Sequence, residues 1–376
     1  MRFIGVDLHK AYAYVVELSA DLQKKHYRLC LTSEALSSFL ETLDKECQVV
    51  LEASTTSFRF AELVAPWVGR VVVSDPAQTR GAVSQPALND HKSAEALARL
   101  LHANFVREVW VPPASVRALR SQVALYRRLG RTRTRACNML KSLFQQEILP
   151  VVKVRKPGPR SHSWMAEQFR EQPQLRLYLC CLLRIINLMN SELAELEYAL
   201  GGWCKQSSDA QLLLTVPGMG AILAVTLLAQ IGDIRRFPTA SQLCSYAGLV
   251  PKVYESGKTR HYGHISRSGG SNMRWALNVA VWSGSGRVKT IDEFRRRLVT
   301  TRPKMVANTA AARKLLTIIW SMLTHRRRYQ DEDTDLSVRK WMSLGAWPEP
   351  SPQALEVPKI KDRRPSVRVR RVRTGE

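Results

Sequence analysis

Residues 1 to about 110 alternate short apolar, β-rich runs with amphipathic ones, and this alternation restricts the fold more than any other feature of the chain. The first run, Arg2-Phe3-Ile4-Gly5-Val6-Asp7-Leu8-His9-Lys10, carries an aspartate at its end. A second run, Ala13–Leu18, follows at once, so the pair reads as a hairpin with Asp7 mounted on its first strand. The spacing predicts strands at Phe3–Asp7, Tyr12–Leu18, His26–Leu31, Val49–Glu52, Val71–Ser74 and Val106–Val111, and helices at Ser33–Lys45, Phe58–Val68 and Asp90–Leu101. Two leading antiparallel strands, then strands separated by crossover helices, imply a mixed-sheet α/β domain over residues 1–111.

The acids of this region sit at consistent places. Asp7 ends the first strand, Glu52 ends the run Gln48-Val49-Val50-Leu51-Glu52, and Asp90 opens a helix. Carboxylates at neighbouring strand ends, with a third on a flanking helix, can converge on one point. Close carboxylates repel unless divalent cations lie between them, and Mg²⁺ suits such oxygen ligands. Asp7 alone reads equally as a surface residue, and Asp90 equally as a helix cap. Asp75 follows another strand, but Asp75-Pro76 is also an ordinary turn.

Pro112-Pro113 ends the α/β pattern, and residues 112–208 read as helical. Ser115–Ile148 places Val116, Leu119, Val123, Leu140 and Phe144 at helical spacing and carries Arg117, Arg120, Arg127, Arg128, Arg131, Arg133, Arg135 and Lys141, with no acid between Arg117 and Lys141. A solvated helix face normally mixes signs, whereas a face of one sign suits a phosphate backbone. Lys153–Ser163 reads as a basic Pro/Gly linker. Gln174–Trp203 reads as a second long helix whose apolar stripe is core or a helix–helix contact.

Residues 209–330 read as a further unit, mainly helical. Leu212–Gly220 followed by Ala221–Ile231 is a helix-hairpin-helix signal, in which Gly218 and Gly220 let backbone N–H groups approach a phosphate; a plain helical corner uses the same turn. Pro251–His264 reads as a loop that sets Ser256-Gly257 near Lys258, Arg260, His261 and His264. A serine attacking a phosphodiester needs cations around the phosphoryl oxygens and an acceptor for its proton, but a Ser-Gly pair is also an ordinary turn. Arg267 and Arg274, around the helix Met273–Trp282, are further candidates for phosphate contact. Residues 331–376 are expected to lose order: an acidic connector at Asp331–Asp335, a docking segment at Trp341–Trp347, and a polyanion-binding tail with eight basic residues in Lys359–Arg373.

Charge supports a polyanionic partner. Lys and Arg number 57 against 32 acids, a net +25, which points to nucleic acid. The longest apolar runs, Leu212–Val216 and Ala221–Gln230, are too short to span a bilayer, so no membrane is expected. The chain begins with a charged strand rather than a signal sequence. The seven cysteines form no Cys-x-x-Cys pattern, which fits a cytoplasmic protein without structural zinc.

Taken in order, these motifs resemble one family over roughly residues 1–325: the DEDD-type transposases of insertion-sequence family 110, the bridge-RNA-guided recombinases. Gly5-Val6-Asp7 is similar to the first acid motif of that family's RuvC-like, RNase H-fold domain, and Leu51-Glu52-Ala53-Ser54 to the second. Asp90-x-x-Ser93-Ala94 is similar to the third. Val216-Pro217-Gly218-Met219-Gly220, Tyr246–Pro251 and Tyr254-Glu255-Ser256-Gly257 resemble signatures of its transposase domain.

The resemblance implies that Ser256 is the nucleophile, forming a phosphoserine link to a DNA end, and that Asp7, Glu52 and Asp90 bind Mg²⁺ in the same reaction centre. It also implies coiled-coil contacts from the helical middle, a tetramer with a composite active site, and a structured noncoding guide RNA that pairs with target and donor double-stranded DNA. One position departs from the pattern: Ser93 stands where the family carries its fourth acid. It shares a helix face with Asp90, whereas Glu95 is rotated away. Two other functions stay open on the residues: a metal-dependent junction nuclease in which water attacks, and a weakened relative that regulates or inverts DNA by occupancy.

Overall fold

Arg2–Leu8 (β1) is hydrogen-bonded to Tyr12–Ser19 (β2) on one side and to Cys47–Glu52 (β4) on the other. Lys24–Cys30 (β3) extends the sheet beyond β2, and Arg70–Ser74 (β5) extends it beyond β4, giving the order β3-β2-β1-β4-β5. The β1–β2 and β2–β3 pairs are antiparallel, and β1–β4 and β4–β5 are parallel, so the sheet is mixed. The computed structural model describes residues 1–76, 90–150, 159–256, 259–267 and 269–344. The chain divides into two units, Met1–Ala114 and Ser115–Glu376.

Strand alternation assigns the two faces of the sheet. Ile4, Val6, Val49, Leu51 and Val73 pack with Phe39 and Phe60, which lie on Ser33–Glu41 (α1) and Ser57–Val64 (α2). Phe3, Val16, Leu18, Val50 and Val72 pack with Ala94, Leu97, Ala98 and Leu101 of Asp90–His102 (α3). The side chain of Thr32 caps α1. Helix α2 stops at Val64, short of the expected Val68, because Pro66 lacks an N–H and excludes a further helical turn. The expected strand Val106–Val111 is reduced to an isolated bridge, Ser74 to Glu108, before Pro112-Pro113 removes the donors a ladder would need.

The second unit is mostly helical. Its elements are Ala114–Gln146 (α4), Pro159–Glu167 (α5), Pro173–Gln206 (α6), Ser208–Leu214 (α7), Ala221–Ile231 (α8), Ala240–Tyr246 (α9), Ser271–Ser283 (α10), Lys289–Val299 (α11), Lys304–His325 (α12) and Thr334–Ser343 (α13). Leu119, Val123, Leu200 and Cys204 share one core with Leu213, Leu227, Leu277 and Leu316, so the 208/209 boundary does not separate two cores. The far half of α4, including Leu140 and Phe144, forms a second core with Met165, Phe169, Leu182 and Ile186. By length and composition α6 would also suit a membrane span, and 28% of its most apolar window is buried within the protein.

Three expectations need correction here. Residues 159–163 of the expected linker open a helix, α5, rather than continue the linker. Order continues past residue 330: Asp333, read as part of an acidic connector, caps α13 by accepting from Leu336 N–H. Pro251–His264 is not a loop but an antiparallel hairpin of Pro251–Ser256 (β6) and Thr259–Ile265 (β7), in which Ser256 pairs with Thr259. The expected basic tail, Lys359–Arg373, and residues 151–158 of the expected linker lie outside the described residues.

Candidate functional site

In the first unit, the register that sets the core also sets the acids. Phe3 and Gly5 alternate onto the α3 side of the sheet, so Asp7 falls on that side; Val50 places Glu52 there too, and Val72 does the same for Ser74. Gly5 is needed because α3 lies directly on the strand: a Cβ at position 5 would stand 2.0 Å from Ala94 O and 2.7 Å from Ala98 N. This close approach puts the N-terminus of α3, and with it Asp90, above the end of β1.

Donor atoms of Asp7, His9 and Asp90 lie within 4.8 Å of one another. His9 Nε2 is 3.1 Å from Asp90 Oδ2 and 3.8 Å from Asp7 Oδ2. The Tyr12 hydroxyl donates to Asp90 Oδ2 at 3.1 Å, and its ring lies against the His9 ring with centroids 4.7 Å apart. The Arg28 guanidinium covers the other aromatic partner, 3.8 Å from the centroid of Tyr12. Burial pushes the Asp7 carboxyl above the usual carboxylate range; His9 opposes that shift and Asp90 adds to it. Two carboxylates and an imidazole at these separations fit a divalent cation, whose charge would remove the repulsion between the acids.

Glu52 shares the sheet face of Asp7 but is not within that donor group. Ser93 is half-buried, one turn along α3 from Asp90. Glu95 is committed elsewhere: Lys24 Nζ at 2.5 Å, and Arg99 Nε at 2.9 Å, hold its carboxyl below the usual range. His9 is the member the sequence reading omitted. Its two-residue offset from Asp7 along a strand end, which keeps both side chains on one side, was the available signal.

In the second unit the expected phosphate-binding residues divide by role. Gly218 has φ +84°, and a Cβ there would stand 2.3 Å from Gly284 N, so this glycine serves a helix-to-turn contact at the end of α10. Gly220 is the N-cap of α8, with open space at its Cβ position. Arg274 donates to Ala247 O at 3.1 Å and to Gly269 O at 2.5 Å, joining the chain before the β6–β7 hairpin to the chain after it. Arg267 lies in the same connection with φ +53°. Gly257 and Lys258 lie outside the described residues, as do the side chains of Ser256 and Arg260.

The arginines of α4 divide similarly. Arg120 donates to Ala229 O at 2.7 Å and Gln230 O at 2.9 Å, satisfying the C-terminal end of α8. Arg127 bonds to Asn272 Oδ1 and lies 4.7 Å from the centroid of Trp275; burial, together with Arg131, pushes its pKa down. Arg133 donates to Asn190 Oδ1 at 3.1 Å. Arg117 is half-buried. Arg128, Arg131 and Arg135 are exposed at i, i+3 and i+7, which places them on one face.

Comparison with known proteins adds an independent line. Residues 210–298 match the family model described as Transposase IS116/IS110/IS902 family. The chain is 25% identical over 248 residues to the transposase for insertion sequence element IS1111A of Coxiella burnetii, a match spanning 64% of this chain and 68% of that one. It is 24% identical over 338 residues to the transposase for insertion sequence element IS1328 of Yersinia enterocolitica, spanning 86% and 97%. A shorter match, 37% over 123 residues, is to the pilin gene-inverting protein of Moraxella bovis, spanning 32% and 38%.

Proposed function

We propose, for a chain that belongs to the IS110-type transposases, that it is a DNA recombinase in which Ser256 attacks the DNA backbone at a centre assisted by Mg²⁺ on Asp7 and Asp90. The observation that carries the reading is the convergence of Asp7 and Asp90 from a strand end and a helix start that are 83 positions apart in sequence (90 − 7). The sheet order β3-β2-β1-β4-β5 and its mixed pairing support an RNase H-like, RuvC-like domain. Helices α7 and α8 around Pro217–Gly220 support a helix-hairpin-helix in the transposase domain. The four segments 1–111, 112–208, 209–330 and 331–376 serve as metal-binding domain, helical linker, transposase domain and extension.

In this mechanism a bound ion would supply charge neutralisation at the scissile phosphate. Asp7 and Asp90 would hold it, Tyr12 orients Asp90, and Glu52 ends the neighbouring strand on the same face of the sheet. Ser256 Oγ loses its proton as the Oγ–P bond forms, and the broken P–O bond releases a DNA hydroxyl that takes up a proton. Reversal onto a second strand rejoins the DNA. A structured noncoding RNA selects target and donor, leaving the protein to contact duplex shape and backbone through Arg128, Arg131 and Arg135. The protein works in the cytoplasm as a tetramer.

The test combines the purified protein, the noncoding RNA transcribed beside its reading frame, and duplexes carrying both ends. A DNA end linked to phosphoserine, absent in Ser256→Ala, is the expected product. Cleavage with free ends in both proteins would replace this reading with a water-attacking junction nuclease. The likeness to the pilin gene-inverting protein favours inversion as the outcome when both sites lie on one molecule.

A further inference from the structure

His9 brings a different kind of donor to the two aspartates. Adjacent donors on one octahedral ion, at bond lengths of about 2.0–2.2 Å, lie about 2.8–3.1 Å apart, and opposite donors about 4.0–4.4 Å apart. The 3.1 and 3.8 Å separations of Nε2 from the Asp90 and Asp7 oxygens, in a group spanning at most 4.8 Å, fit donors gathered around one centre. A direct hydrogen bond does not account for them. Nε2 is shut off from solvent, although the ring is partly exposed, and it makes no hydrogen bond of acceptable geometry even with Asp90 Oδ2 at 3.1 Å. A buried ring nitrogen without a partner needs a reason, and a lone pair aimed between two carboxylates supplies one. The ring is also held in place. Tyr12 lies against it, and the same tyrosine turns Asp90 by its hydroxyl, so one side chain orients two donors.

Oxygen donors and an octahedral water shell suit Mg²⁺, whereas an imidazole nitrogen favours first-row transition ions. We propose that His9 Nε2 is a direct ligand of the divalent ion at Asp7 and Asp90, and that this nitrogen donor makes the site bind Mn²⁺ more tightly than the Mg²⁺ it also accepts. The inference rests on the metal-site reading above and adds the identity of the third ligand and the class of ion.

The experiment is Mn²⁺ binding to the full-length protein, followed by electron paramagnetic resonance, with pulsed detection of nitrogen coupled to the bound ion. Wild type is expected to show one coupled ¹⁴N. In His9→Gln that coupling is expected to vanish and Mn²⁺ affinity to fall by about tenfold or more, while Mg²⁺ affinity, read by competition, changes by less than about threefold and the circular dichroism spectrum is unchanged. No nitrogen coupling in wild type, coupling that survives in His9→Gln, or equal loss of both ions would overturn the proposal. Asp7→Asn separates the two levels. If Asp7→Asn leaves Mn²⁺ bound, the metal site itself is misplaced and the role of His9 falls with it. If Asp7→Asn abolishes binding while wild type shows no nitrogen, the role of His9 alone fails.

Discussion

Gly5 and Ala94 meet backbone to side-chain position: a Cβ on Gly5 would stand 2.0 Å from the Ala94 carbonyl oxygen. The contact lies in the middle of the α3–sheet interface, two residues before Asp7 and four after Asp90. Gly5→Ala must therefore lift α3 from β1 and carry Asp90 away from Asp7. The expected cost is about 1–3 kcal/mol of stability, together with loss of divalent-ion binding. Thermal unfolding and Mn²⁺ titration of the variant check both.

Burial, and to a lesser extent Asp90, disfavour the charged form of Asp7 and raise its pKa. A carboxyl raised in the folded state binds more protons folded than unfolded between its ordinary and its raised pKa. Metal-free protein therefore loses stability as pH rises through that window, and the cost is fully present above it. Asp7→Asn is expected to raise the Tm of metal-free protein at neutral pH and to abolish the further rise that a divalent ion gives wild type. Calorimetry with and without the ion measures both effects.

Ser93 lies on the Asp90 side of α3, and Glu95 is committed to Lys24 and Arg99, so no carboxylate of this helix supplies a fourth donor. Ser93→Asp is expected to tighten divalent-ion binding on the order of tenfold and to raise strand exchange at limiting ion. Unchanged affinity and unchanged exchange would show that the position needs no acid.

Arg128, Arg131 and Arg135 are exposed on one face of α4, whereas Arg120, Arg127 and Arg133 are bonded within the protein. Replacing the exposed three with Gln is expected to leave Tm unchanged and to reduce the salt dependence of DNA binding by up to roughly 2.7 in slope, at about 0.9 per phosphate contact. Arg120→Gln is expected to do the reverse, lowering Tm with a small change in slope. Filter binding over a salt series beside thermal unfolding separates the two groups.

Lys340 Nζ donates to Leu214 O and Val216 O, each at 2.7 Å, joining α13 to the end of α7. Burial pulls its pKa down to about 8. Between that value and the ordinary lysine pKa the unfolded chain binds the extra proton, so this residue's contribution to stability grows as pH rises through the window and is least below it. The stability difference between wild type and Lys340→Met is expected to widen in favour of wild type from pH 7 to pH 10, as read by urea unfolding.

The sheet was legible because its strands are short apolar runs with a single period, and five of the six expected strands are present. Asp7 and Asp90 were legible because each punctuates such a run. His9 was not, since a histidine between Leu8 and Lys10 looks like a turn residue until Tyr12 and Asp90 are folded against it. The hairpin at Pro251–Ile265 was misread because Gly, Lys, Ser and His interrupt its β pattern; cross-strand pairing overrides that local composition. The arginines of α4 share one composition, and only tertiary contacts distinguish Arg120, bonded to helix carbonyls, from exposed Arg128. The five helices α5, α9, α11, α12 and α13 went unassigned. In α11 the charges Lys289, Asp292, Glu293 and Arg295–Arg297 obscure the apolar spacing, and in α12 small buried alanines stand where a longer apolar stripe would be expected.

Strands β1 and β4 are bonded neighbours through five register pairs, Arg2 with Cys47 up to Val6 with Leu51. The lateral offset between Asp7 and Glu52 is thus written in a backbone ladder and owes nothing to the number of residues connecting them. Lengthening the turn between β2 and β3, or the connection from α1 to β4, should leave the carboxylates where they are. A peptide tag or a reporter domain can be spliced into either place as a handle on the working protein, whereas one residue added inside β1 would turn Asp7 to the opposite face of the sheet.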